Sequence, residues 1–144
     1  MQKPLLKTSM HPFPYTIGAH ETLPRATAVM REHSIRHLPV TEAGEIVGIL
    51  SQRDIRLAQS LTNLIKEDAE LTVGEVCTRD PYVVDINMPL NIVLSEMSAM
   101  HIGSVLVTRN DKLVGIFTTT DACRIFGEHL RRQFGETPTE PEIA

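Results

Sequence analysis

Tryptophan is missing from this chain, and two tyrosines and four phenylalanines bring aromatics to only 4% of 144 residues. Aliphatic side chains must therefore build the core. Cysteine is as scarce: Cys77 and Cys123 stand far apart in dissimilar surroundings with no C-x-x-C. That spacing removes a zinc knuckle or a disulfide framework, and both thiols are expected to be small buried hydrophobes in a reducing compartment. No apolar run approaches the roughly eighteen residues of a membrane span. Met1 to Met10 carry two lysines but no apolar core of a secretory signal. A soluble, cytoplasmic protein is the expectation.

Concentrated positive charge is lacking too. Fourteen Lys and Arg stand against eighteen Asp and Glu, for a net charge of −4, and apart from Arg131-Arg132 the cations are scattered. Nucleic-acid binding needs a face that neutralises several phosphates, so that partner class is not expected. His11, His20, His33, His37, His101 and His129 form no i, i+4 pair and no HExxH, which leaves no expected metal site. Neither a nucleophile elbow nor a P-loop occurs, so no enzyme activity and no cofactor are anticipated.

What the chain does have is a repeat. Sliding it by 67 residues lays Pro14-Tyr15-Thr16-Ile17 on Pro81-Tyr82-Val83-Val84, and so superposes the only two tyrosines. Without a gap, Met30 then falls on Met97, Ile35 on Ile102, Val47-Gly48-Ile49 on Val114-Gly115-Ile116, and Asp54 on Asp121. A gapless register this long marks a duplicated unit.

Each half reads alike. Tyr15 to Ile17 and Tyr82 to Val84 are short strands. Helices follow over Glu21 to His33, with Pro24 in the first turn, and from Pro89 on, with Leu90, Val93, Leu94, Met97 and Met100 as the buried stripe. Two hairpins come next: His37–Thr41 with Glu45–Leu50, and Val105–Thr108 with Leu113–Thr118. The second strand of each is apolar enough to be buried on both faces. A closing helix runs from about Arg53 to Leu64, and from about Thr120 to Phe134. Leu71 to Cys77 reads as a short helical lead-in to the second half. The expected organisation is an extension over 1–7, repeats over 8–65 and 72–134, a linker over 66–71, and a disordered acidic tail over 135–144.

At the junction between the buried strand and the last helix stand Ser51-Gln52-Arg53-Asp54 and Thr118-Thr119-Thr120-Asp121. A hydroxyl three residues before an acid fits a helix cap. It also fits a ribose site, the rarer use of such a pair, where the carboxylate accepts sugar hydroxyls while the hydroxyl oxygen and helix N-terminus face phosphate. On spacing alone both readings stand.

The pattern Leu38-Pro39-Val40 with Gly48-Ile49-Leu50-Ser51-Gln52-Arg53-Asp54, and Leu106-Val107 with Gly115-Ile116-Phe117-Thr118-Thr119-Thr120-Asp121, resembles the CBS motif. The resemblance covers about 8 to 134 and is similar to stand-alone bacterial CBS pairs, or Bateman modules, of the acetoin-utilisation type. It implies an α/β (α+β) fold: two tandem β-α-β-β-α repeats packed through their sheets as a pseudo-twofold module with two clefts. It also implies a regulatory module binding AMP, ADP or ATP, a homodimer, and an unknown downstream protein. A ligand-free scaffold and a regulatory subunit of an unlinked enzyme or transporter are the alternatives.

Mapped by that resemblance, ribose falls to Asp54 and Asp121 with Ser51 and Thr118. The base falls to Thr16, Val83, Ile35 and Ile102. Phosphate falls to Arg36 and His37 just before Leu38-Pro39, with Arg53 secondary, whereas the second half has Gly103 and Ser104 there, and Thr120 in place of Arg53. The first cleft is thus expected to prefer a phosphorylated nucleotide and the second to bind weakly or stay empty.

Overall fold

A computed structural model of the protein describes residues 3–65 and 70–135. Linker residues 66–69 and tail residues 136–144 lie outside the described residues, so the expectations for them are not addressed. The first half comprises α1 (Leu6–Ser9), β1 (His11–Pro12), β2 (Ile17–Gly18), α2 (Leu23–His33), β3 (His37–Glu42), β4 (Glu45–Ser51) and α3 (Gln52–Ile65). The second comprises α4 (Val73–Val76), β5 (Thr78–Arg79), β6 (Val83–Asp85), α5 (Leu90–Met100), β7 (Ser104–Arg109), β8 (Lys112–Thr118) and α6 (Thr119–Phe134). In five of the seven element pairs both bounds are offset by 67 residues. The register therefore reaches upstream of the motif, to α1 and α4.

Local chemistry sets these bounds. Helix α2 begins two residues later than expected because Thr22 caps it, its side chain accepting from the Arg25 amide at 3.3 Å. It ends at Ser34 in the left-handed region, φ 53°, as α5 ends at His101, φ 54°. Each hairpin closes on two consecutive positive-φ residues, Ala43-Gly44 and Asn110-Asp111. That is the turn whose twist matches the flanking strands.

Two four-stranded sheets result, in the orders β2-β3-β4-β5 and β1-β8-β7-β6. The last strand of each sheet comes from the segment preceding the other repeat: β5 pairs with β4, and β1 with β8. The expected lead-in, Leu71 to Cys77, does form a helix, α4, capped reciprocally by Thr72 and Glu75. It packs on the first repeat, however, through Val73 N–H to Glu21 O and Gly74 N–H to Ala19 O. The two lead-ins are exchanged.

The motif glycines allow this exchange. A Cβ on Gly48 would lie 2.6 Å from the Thr78 carbonyl oxygen, and one on Gly115 would lie 2.2 Å from Met10 Sδ. The crossing strand needs that space.

Alternation along the strands then sorts three cores. Leu38, Val40 and Leu50 join Leu23, Ala26, Met30 and Ile55 beneath α2 and α3. Val105, Val107 and Phe117 join Leu90, Val93, Met97, Ile125 and the upstream Leu6 beneath α5 and α6. Ile49, Leu106 and Ile116 meet between the sheets, with Ile46 and Leu113 against them. Strands β4 and β8 are thus covered on both faces, as their apolar runs imply.

Three local expectations are corrected. Tyr15 is exposed and stacks on His33, with ring centroids 3.6 Å apart, so pairing starts only at Ile17. Met100 leaves the buried stripe because α5 turns it outward near its C-terminal end. Cys77 is buried, but Cys123 is exposed on α6. No helix among the described residues is long and apolar enough to cross a membrane.

Candidate ligand cleft

Both strand-to-helix junctions carry the reciprocal cap. Ser51 N–H donates to Asp54 Oδ2 at 2.9 Å, and Asp54 N–H donates to Ser51 Oγ at 3.0 Å. Likewise Thr118 N–H donates to Asp121 Oδ2 at 2.9 Å, and Asp121 N–H to Thr118 Oγ1 at 3.4 Å. The capping reading therefore holds in both halves. The acids differ in what else they do.

Asp121 is 1% exposed, and its second oxygen is taken by His11 Nδ1 at 2.9 Å and Arg124 Nη2 at 3.4 Å. The same guanidinium donates to Ser9 O at 2.8 Å. Asp121 thus ties the exchanged N-terminal segment to α6. Asp54 is only half-buried, and its Oδ1 accepts no hydrogen bond from the described residues. The positions matching His11 and Arg124 are Thr78 and Leu57, so Asp54 has no such clamp.

Asp54 opens onto a cleft of about 1350 Å³ built from both repeats. The first repeat supplies Arg36, His37, Ser51, Arg53 and Asp54. The second supplies Val83, Ile102, Gly103, Ser104, Thr118 and Thr120. Val83 and Ile102, not their counterparts Thr16 and Ile35, line the same cavity as Asp54. Thr16 lies instead in a separate depression with Phe13 and the hairpin tips, and Ile35 between α2 and α3. Leu38 and Pro39 are buried, Leu38 in the first core, and offer nothing to the cleft. Asp121 is withdrawn from it by burial.

His37 is held below its ordinary pKa chiefly by burial, with Arg36 acting in the same direction and Asp54 opposing. It is therefore a neutral hydrogen-bonding group at neutral pH, and Arg36 and Arg53 carry the charge. Burial raises the Cys77 pKa, so its thiol keeps its proton. The cleft also includes Gln52, Arg56, Thr78, Asp80, Tyr82 and Met100, which the motif does not single out. Arg56 lies one turn beyond Arg53 on the same face of α3, a spacing visible in the sequence. Among the described residues no three His, Cys, Asp or Glu side chains are grouped to hold a metal ion.

Comparison with known proteins agrees with this architecture. The CBS domain model matches residues 6–61 and 73–128. Hypoxic response protein 1 of Mycobacterium tuberculosis is 34% identical over 126 residues, covering 87% of each chain. Among solved structures, the CBS domain pair of protein MJ0100, in complex with 5′-methylthioadenosine and S-adenosyl-L-methionine, superposes with a TM-score of 0.79 at 28% identity. It covers 89% of this chain and 99% of that one. An acetoin utilization protein (AcuB) from Vibrio cholerae gives 0.76 at 30% identity, covering 95% and 100%. The chain belongs to the CBS domain family, with two domains in tandem.

Proposed function

From that membership, we propose that the chain is a non-catalytic sensor that binds one adenosine nucleotide in the cleft at Asp54. The observation that carries this reading is the contrast between the two acids: Asp54 presents an unpaired carboxylate oxygen to the cleft, whereas both oxygens of Asp121 are taken. In this reading Asp54 and Ser51 receive the ribose hydroxyls. Val83 and Ile102 flank the base, and Arg36 and Arg53 face phosphate. Because the ligand touches both repeats, binding shifts their packing, and an unidentified partner protein reads the change. That relatives are solved with adenosine compounds supports the ligand class.

A thermal-shift panel of adenosine, AMP, ADP, ATP, 5′-methylthioadenosine and S-adenosyl-L-methionine tests this. A ligand at a hundred times its Kd stabilises the fold by about 2.7 kcal/mol. Asp54→Asn should abolish that shift, and a wild type that responds to none of the panel refutes the sensor reading.

A second reading, a homodimerisation scaffold, is favoured by exposed apolar stripes: Leu57, Leu61 and Leu64 on α3, and Phe126, Leu130 and Phe134 on α6. Spacings of three, four and eight residues put each set on one helix face. The two readings are compatible. A solution mass of twice 16.1 kDa by light scattering supports self-association, and a monomer at high concentration refutes it.

A further inference from the structure

Beside the nucleotide cleft lies a second cavity, about 490 Å³, between α2 and α3. It shares Arg36, Gln52 and Arg56 with the cleft and adds Arg31, Gln59 and Ser34. Among the described residues, three guanidinium groups line it and no carboxylate does. None of Arg31, Arg36 and Arg56 forms an ion pair among the described residues. Like charges converging without a counter-charge raise the local potential and draw in an anion, and guanidinium forks match phosphoryl oxygens in geometry.

The second repeat shows that this is no requirement of the fold. At the 67-residue offset Arg31, Arg36 and Arg56 become Ser98, Gly103 and Cys123, and Gln59 becomes Phe126. The matching helix pair of the second repeat forms without any of these charges.

We propose, resting on the nucleotide reading of the cleft, that this basic cavity receives the distal phosphates of a nucleoside di- or triphosphate whose ribose is held at Asp54. Arg53 and Arg56 stand about 4.5 Å apart along the α3 axis, so a polyphosphate leaving the ribose passes Arg36 and Arg53 and reaches Arg56 and Arg31 at the cavity. AMP ends before it. A sulfonium such as S-adenosyl-L-methionine brings a positive charge to the arginines and is disfavoured.

Isothermal titration of the full chain with AMP, ADP and ATP in magnesium-free buffer decides the matter. The expected result is that ATP and ADP bind at least tenfold more tightly than AMP, and that Arg31→Gln removes that advantage while AMP affinity stays within about twofold. Arg31 is exposed on α2, and an unchanged melting temperature will confirm that the variant is folded. Equal affinity for AMP and ATP in the wild type, or an ATP advantage that survives in both Arg31→Gln and Arg56→Gln, overturns the inference and leaves the nucleotide reading standing. Binding of none of the three overturns both.

Discussion

Replacing Asp121 by Asn separates structure from recognition at the duplicated acid. The carboxylate is fully buried, accepts the Thr118 amide through one oxygen and meets His11 and Arg124 through the other. Asparagine puts an NH₂ in place of one oxygen, so either the cap or the contact with His11 and Arg124 is left donor against donor. Breaking a fully buried ion pair costs about 3–5 kcal/mol. Here His11 and Arg124 are 69% and 45% exposed and can be rehydrated, which lowers the expectation to about 2–3 kcal/mol. Asp54→Asn keeps the Asp54 N–H to Ser51 Oγ bond and disturbs only the return bond, for a loss of about 0.5–1 kcal/mol. Urea denaturation of both variants measures the difference, and titration with nucleotide measures the other half of the claim. Asp121→Asn should lose stability and retain binding; Asp54→Asn should do the reverse. Equal destabilisation, or loss of binding in Asp121→Asn at full stability, would show that the clamp on Asp121 is not what distinguishes the two acids.

Gly48→Ala should cost about 3 kcal/mol, because the new methyl meets the Thr78 backbone. Gly115→Ala meets the flexible Met10 side chain instead and should cost about 1 kcal/mol; equal losses in urea melts would refute the account of the exchanged strands. His37, depressed mainly by burial, binds a proton less readily folded than unfolded. Its contribution is therefore fully present above the unfolded pKa of about 6.5 and is lost as pH falls from there toward the folded value. Stability measured from pH 7.5 to 5 should decline less steeply in His37→Gln, with Asp54 and Arg36, the charged groups that act on this ring, left in place; parallel curves would refute the assignment.

How far each feature was legible depended on whether its cause was local. The hairpins could be read because their strands alternate and their turns need two positive-φ residues, both properties of adjacent positions. Strands β1 and β5 could not, since two residues carry no period, and only the gapless register running upstream to Leu6 and Val73 hints at them. Asp54 and Asp121 look equivalent in the motif because their distinction comes from His11, more than a hundred residues from the acid it holds. Thr16 and Ile35 were matched by position within a repeat, whereas the cavity at Asp54 is lined by Val83 and Ile102 of the other repeat. Charge balance around Arg31 and Arg56 is a sum over two helices and a loop, which no linear pattern displays.

These features together say how a duplicated module can report ligand binding. The exchanged strands and the Asp121 clamp fasten each sheet to the chain of the other, so the repeats cannot separate without breaking β1–β8 or β4–β5 pairing. What remains adjustable is the layer between the sheets, where the apolar Ile49, Leu106 and Ile116 meet. Apolar contacts of this kind are not directional, and sliding across them costs less than unpairing a strand. A ligand gripping Asp54 on one side and Val83 and Ile102 on the other spans that layer. It favours whichever offset of the sheets brings its two walls to the right separation, by no more than its difference in affinity between offsets. With Asp121 held by His11 and Arg124 while Asp54 keeps one carboxylate oxygen open, the duplicated fold is chemically asymmetric across that layer.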